Sequence, residues 1–387
     1  MPGIPAELGP EWSLLLTACS ALPADTKLLR LRSILRSTIR WQNLFALAQL
    51  HGVLPLLDLA LQSVRDVVPT EEMDSLEQSY RTNLHRNLLL SRELIRIVHH
   101  LSEFDLEVMP YKGPALADSL YGDIALRQSG DIDLLVRRDE LRRVEDALAK
   151  LGYALHGRLS EPQQREYLKS GYEFVFDGPA GRNVLEVQWA IQPRFYAVDF
   201  DMNGCFDRAV KVAVAGQVMK TPSPSDLLLI LSVHAAKHVW GRLIWISDLA
   251  RLMRSPSLDW GWLASQAKDL GIVRIVQVST LLANRLLAVP VPIKAQNWLD
   301  DRRIDPDLVS KVQQHIFTES GFGVESMSYF RLMMHLRERP SDRLRFLTRL
   351  ALTPGASEWN LVHLPPYLFP LYRVVRLSRL AARMLGA

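Results

Sequence analysis

The tightest constraint in this chain is the run Gly130-Asp131-Ile132-Asp133-Leu134-Leu135-Val136, which must enter a hydrophobic core as a strand while carrying two carboxylates. Strand side chains alternate, so Asp131 and Asp133 point to one face and Ile132 and Leu134 to the other. Two carboxylates on one face repel unless a cation or a proton sits between them. Oxygen ligands of this kind suit Mg²⁺, which takes one or two protein carboxylates plus substrate phosphates. A solvated strand end is the bland alternative.

The rest of the chain places that strand. Up to about residue 104 apolar residues recur at spacings of three and four, as in Leu28, Leu31, Ile34 and Leu35, then Leu44, Leu47 and Ala48. This predicts helices, one ending at Gly52 and a long one over about 75–104. Leu106 to Tyr111, Gly130 to Val136, Glu173 to Asp177 and Asn183 to Trp189 read as strands, the last two joined by the hairpin signal Gly178-Pro179-Ala180-Gly181. Helices are expected from Ala115 to Tyr121, with Pro114 in the first turn, and from Arg138 to Leu151, ended by Gly152. Beyond Pro222-Ser223-Pro224 the helical texture returns and holds to Ala387. The expectation is an α+β protein with a helical N-terminal region at 1–104, a small mixed-sheet core at 105–220 and a helical C-terminal region at 221–387.

Composition sets the outer limits. A length of 387 residues exceeds one ordinary core, and 48% hydrophobic with 23% charged residues excludes a disordered or fibrous chain. No run approaches the roughly 18 apolar residues of a membrane span. Met1 to Glu7 lacks the basic start and apolar run of a secretory signal. Cys19 and Cys205 cannot build a disulfide framework or a cysteine zinc site, so a cytoplasmic location is the expectation. The net charge of +4 does not by itself imply nucleic acid.

Several neighbours extend the chemistry of the two aspartates. Lys112-Gly113-Pro114 lies between a strand and a helix, where free amides and the helix dipole favour an anion, with Lys112 adding charge and Gly113 allowing close approach. Arg127 could clamp a phosphate bidentately or form a surface ion pair. Glu186, in the apolar strand Val184 to Trp189, either faces solvent or, buried, invites a metal or a basic partner. His234 and His238 share one helical face and, with Asp248, make a conceivable metal site; the competing reading is core histidines bonded to backbone or to Asp248. Ala235 stands where a zinc-protease helix carries its glutamate, which disfavours that chemistry. Lys237, Trp240 and Arg242 beside them suggest a polar, partly cationic pocket. From Leu371 to Leu385, Arg373, Arg376, Arg379 and Arg383 form one helical stripe, either touching anionic lipid or an RNA backbone or, more commonly, forming the wet side of a packed helix.

The order of phosphate-binding turn, helix, Asp-x-Asp strand, helix, hairpin and third carboxylate resembles the nucleotidyltransferase fold of the DNA polymerase beta superfamily. More narrowly it is similar to a group of bacterial nucleotidyltransferase family proteins. The match runs through Tyr111-Lys112-Gly113-Pro114-Ala115-Leu116, Leu120-Tyr121-Gly122, and Arg127-Gln128-Ser129-Gly130 into Asp131-Ile132-Asp133. It continues through Leu185-Glu186-Val187-Gln188-Trp189, His234 to His238, Ile246 to Leu249, Leu364-Pro365 and Leu371-Tyr372-Arg373. Two departures stand out. Lys112-Gly113 replaces the superfamily's usual Gly-Ser, and Gln188 replaces the histidine of Glu-x-His-Trp, where glutamine keeps hydrogen bonds but cannot protonate.

The resemblance implies a Mg²⁺-dependent enzyme, with Mn²⁺ as the substitute, that moves a nucleoside monophosphate from an NTP to a hydroxyl or phosphate of an acceptor. Asp131, Asp133 and Glu186 would be the catalytic and metal-binding residues, holding two ions roughly 3.5–4 Å apart, with Glu186 also placed to take the acceptor's proton. Lys112, Gly113, Arg127, Ser129 and Gly130 would bind the nucleotide. Gln188, His234, His238 and Asp248 would border the pocket. The modest net charge favours a small molecule or protein acceptor over an RNA 3′ end. Two rivals remain: a catalytically inactive nucleotide-binding or scaffold protein on the same fold, and a metal-dependent hydrolase using His234, His238 and Asp248. Three retained carboxylates argue against the first, since burying them without a cation is costly.

Overall fold

The computed structural model describes residues 8–157, 160–181, 183–299, 306–318 and 326–384; Met1 to Glu7 and Leu385 lie outside the described residues. Apolar periodicity at the start becomes α1 (Pro10–Cys19), α2 (Ala24–Ile34), α3 (Trp41–Leu50), α4 (Leu54–Gln62) and α5 (Thr70–Ser102). Helix α5 begins earlier than the apolar spacing suggests. Pro69 presets the backbone before Thr70, and Glu71 and Glu72 complement the first-turn amides. Next come β1 (Val108–Pro110), α6 (Gly113–Tyr121), β2 (Ile132–Val136), α7 (Leu141–Lys150), β3 (Ala154–Leu155), α8 (Glu161–Ser170), β4 (Glu173–Asp177) and β5 (Val184–Gln188). Helix α9 (Met202–Asp207) leads into the hairpin β6 (Val210–Val214) and β7 (Gln217–Thr221). The remainder is helical: α10 (Pro224–Lys237), α11 (Leu243–Leu252), α12 (Trp260–Leu270), α13 (Val273–Leu287), α14 (Ile293–Leu299), α15 (Pro306–Thr318), α16 (Met327–His335), α17 (Pro340–Leu352), α18 (Ala356–Leu361) and α19 (Tyr372–Met384).

The sheet is mixed, in the order β1-β2-β5-β4-β3, with β2 and β5 parallel and the other neighbours antiparallel. Each face has its own core. Ile132, Leu134, Val136, Leu185 and Val187 pack into a cluster that also takes Leu94 and Ile97 of α5 and Val144 of α7. Met109 and Leu135 face the opposite way, into a larger cluster that unites α1 and α4 with α10, α11 and α13 through Leu14, Leu57, Val233, Leu249 and Val276. Both helical ends of the chain therefore share one core, and Asp133, two residues before Leu135, looks toward it.

The carboxy-terminal helix turns opposite to expectation. Arg376 is buried and donates to the Leu350 carbonyl, and Arg379 pairs with the fully buried Glu358 at 2.6 Å. Two arginines of the expected wet stripe thus face inward, while Val374 and Leu377 face solvent. The Arg383 side chain lies outside the described residues. Glu358, fourteen or more residues upstream, supplies the charge that makes this rotation favourable.

Candidate active site

Strands β2 and β5 pair in a register that sets Asp133 opposite Glu186, so both side chains rise from one sheet face. Asp131 stands just before β2, and its carbonyl packs against the turn that opens α6. A Cβ on Gly113 would lie 2.8 Å from Asp131 O, and Gly113 holds φ +54°, so only glycine lets the turn come this close. Lys112, at the entry to α6, places Nζ 2.9 Å from Asp133 Oδ1. Helix α10 presents His234, His238 caps its C-terminal end, and α11 presents Trp245; with the carboxylates and Lys112 they line a cavity of about 440 Å³.

Beneath the carboxylates lies Gln188, almost wholly buried. Its amide nitrogen is 2.9 Å from Glu186 Oε2, 3.2 Å from Glu173 Oε2 and 3.4 Å from Asp133 Oδ1, while its carbonyl accepts from the Tyr111 hydroxyl. Glu173, opposite Gln188 in the β4–β5 register, is a fourth carboxylate. Burial, with Asp133 adjacent, pushes Asp131 up to about 6. Burial, with Asp133 and Glu173 adding to it, pushes Glu186 up to about 8. Burial also raises Glu173. Burial opposes the charge on Lys112, but the Asp133 carboxylate overrides it and holds the ammonium well above its ordinary value. On the facing wall, burial and the nearby ammonium groups drop His234 well below its usual value and His238 to about 4. Both imidazoles are therefore neutral at pH 7. Their rings lie 5.1 Å apart, and 5.4 and 5.2 Å from Trp245.

Such a set of hard oxygen donors, with Asp133 raising Asp131, Glu173 and Glu186 around it, fits a divalent cation on its chemistry. Among the described residues no three His, Cys, Asp or Glu side chains stand ready as a ligand group. Asp133 is turned onto Lys112 and Glu186 onto Gln188, so the cluster is closed on its own partners.

Lys112, Gly113, Arg127, Ser129, Gly130, Asp131, Asp133, Glu186, His234 and His238 all line this one cavity. The Ser129 hydroxyl is buried without a hydrogen-bond partner. Arg127 is neither an open phosphate clamp nor half of a surface pair. Its Nε lies 3.0 Å from Asp248 Oδ1 and its Nη2 3.0 Å from Asp248 Oδ2, both residues being buried. The Tyr121 hydroxyl donates to the same Asp248 at 2.8 Å, and Asn87 of α5 holds the Arg127 carbonyl at 2.7 Å. Asp248 is thereby consumed, and the His234, His238 and Asp248 metal site is not assembled. Trp240 also lies elsewhere, inside the helical core with its indole N–H on Ser279 at 2.9 Å. Local sequence patterning does not single out Glu173 or Trp245 as site residues. Glu173 was readable in principle: alternation with Phe174 and Phe176 puts it on the polar face, and the hairpin carries it opposite Gln188. Trp245 has no local signal.

The family model described as "uncharacterised nucleotidyltransferase" matches residues 37–288. No curated protein matches the chain. Among solved structures, ANT(2″)-Ia in complex with adenylyl-2″-tobramycin is 16% identical, covering 46% of this chain and 95% of its own, with a TM-score of 0.34. An antigenic nucleotidyltransferase-like protein from Paracoccidioides brasiliensis is 16% identical over 54% of this chain and 95% of its own, with a TM-score of 0.31. Both scores are too low to carry an argument, and the family match alone makes the assignment.

Proposed function

Because the chain belongs to this uncharacterised nucleotidyltransferase family, we propose that its cavity transfers a nucleoside monophosphate from an NTP to a hydroxyl or phosphate of an acceptor. The observation that carries the reading is the register of Asp133 opposite Glu186, with Asp131 beside them and a lysine–glycine turn at a helix start facing all three. Asp131, Asp133 and Glu186 would hold the divalent cation. Mg²⁺ or Mn²⁺ there supplies Lewis-acid stabilisation of the charge that develops on the reacting phosphate. Lys112 and the amides opening α6 take the triphosphate, Lys112 exchanging Asp133 for phosphate oxygens as the nucleotide enters. Gly113 and Gly130 let backbone approach the ligand, and Ser129 offers an unpartnered hydroxyl. Glu186, protonated at pH 7 in the metal-free cavity, would ionise when the cation is held and could then accept the acceptor's proton at its carboxylate. Arg127 acts by holding the loop through Ser129 and Gly130 in place. The neutral imidazoles of His234 and His238 border the pocket without adding charge. A small molecule or a protein is favoured as the acceptor over an RNA 3′ end, given the chain's modest net charge.

The test is incubation with each α-³²P-labelled NTP, Mg²⁺ or Mn²⁺ and a cell extract, beside Asp131→Asn/Asp133→Asn. Label entering a product only with the wild type supports the reading and names the base. Absence of transfer, together with absence of metal-dependent nucleotide binding, would leave a scaffold on the same fold.

A further inference from the structure

Charge and exposed apolar surface are both concentrated in the last helices. Residues 327–384 carry ten arginines and no lysine against three acids, Glu338, Asp342 and Glu358, a net +7 where the whole chain has +4. All three acids are engaged internally. Asp342 is buried on Arg339 at 2.6 Å, Glu358 is buried on Arg379, and Glu338 accepts the Arg274 amide at 2.6 Å. Arg331 and Arg373 are exposed and have no acidic partner among the described residues. Arg349 of α17 is the exception, paired with the exposed Asp199 at 2.6 Å; among the described residues Arg331 and Arg373 therefore face outward as cations without an acid.

The same helices expose aliphatic side chains. Leu344 is 67% exposed on α17, and Leu371, Val374 and Leu377 recur every three residues into α19. Leu347 and Leu377 meet Phe330 and Met334 of α16 in an open apolar groove of about 710 Å³, edged by Arg331 and Arg343. In the neighbouring segment, Leu361 and Tyr367 stand out into solvent as well. Burying Arg376 while leaving leucines in water is unfavourable for a face that water alone contacts.

We propose that this face, formed by α16, α17 and α19, seats the protein on an anionic membrane surface, lying on the bilayer rather than crossing it. A second copy would bring a cationic rim against itself with no free acid to receive it. A nucleic acid would satisfy the arginines but leave the leucines wet, with too few exposed rings to stack bases. A bilayer with anionic headgroups accommodates both: acyl chains cover the leucines, phosphates meet Arg331 and Arg373, and Tyr367 sits at the boundary. Among the described residues no helix is long and apolar enough to cross a membrane, which agrees with surface seating.

The experiment is co-sedimentation of the full chain with phosphatidylcholine vesicles and with vesicles of phosphatidylcholine mixed with phosphatidylglycerol. Binding to the anionic vesicles alone, released by salt, is expected. Leu344→Glu/Leu377→Glu cuts the bound fraction by about tenfold, Arg331→Gln/Arg373→Gln weakens it, and the control Leu88→Glu/Leu89→Glu on exposed positions of α5 leaves it unchanged. Circular dichroism of each variant confirms folding. Equal sedimentation with neutral vesicles, or undiminished binding by both face variants, overturns the proposal. So does absence of vesicle binding alongside either a dimer broken by the leucine variant or RNA retention insensitive to it.

Discussion

Two buried ion pairs stand on the walls of one cavity, and they are built to different ends. Arg127 presents a planar fork to Asp248, filling both carboxylate oxygens, and Tyr121 takes up remaining accepting capacity. Nothing is left over, and the pair ties the loop before β2 to α11. Lys112 is a point charge on a flexible stem that reaches one oxygen of Asp133, amid Asp131, Glu173 and Glu186. That pair leaves negative charge uncompensated. A saturated pair holds the fold; an under-neutralised one has capacity for a cation and, through its lysine, for a polyanion.

The largest loss is expected at the saturated pair. Arg127→Met strands a buried carboxylate and should cost about 3–5 kcal/mol, read as a lowered denaturation midpoint. Arg127→Lys should recover little of it, because an ammonium cannot reproduce the fork. Asp133→Asn comes next. Lys112 keeps other carboxylates nearby, so the stability loss should be about 1–3 kcal/mol, while metal-dependent nucleotide binding by calorimetry disappears. Glu186→Gln should leave the metal-free protein as stable as wild type or more so. Glu186 holds its proton up to about 8 in the folded protein, well above an unfolded glutamate. Wild-type stability in EDTA therefore declines as pH rises toward and through 8, whereas the glutamine variant lacks this decline. Smallest is Gln188→His, which disturbs the contacts of Gln188 with Tyr111 and Glu186 for about 1 kcal/mol and should retain transfer, as measured by label incorporation.

The difference between the pairs also marks what a sequence can disclose. Alternation along Asp131 to Val136 exposes two carboxylates on one face, and Glu186 is conspicuous as an acid in an apolar strand. Those are local patterns with a two-residue period. The parallel register joining Asp133 to Glu186 spans more than fifty residues, and Arg127 finds Asp248 across 121 positions; no local spacing encodes either. The arginines of α19 define a stripe from their spacing, but which side of that stripe is covered depends on Glu358 in a different element. Nothing in the local pattern marks helix α8, which buries none of its residues and so has no apolar stripe, and β3 is only two residues long. Glu173 illustrates the middle case, a residue whose face was readable but whose place in the cluster depended on the hairpin register.

A metal-dependent nucleotide site is decided by calorimetric titration of each NTP, with and without Mg²⁺, into wild type and Asp131→Asn/Asp133→Asn. The expected result is binding by the wild type only when the metal is present, with proton release at pH 7 as Glu186 ionises, and no binding by the double variant. Nucleotide binding that needs no metal and survives in the double variant would contradict it.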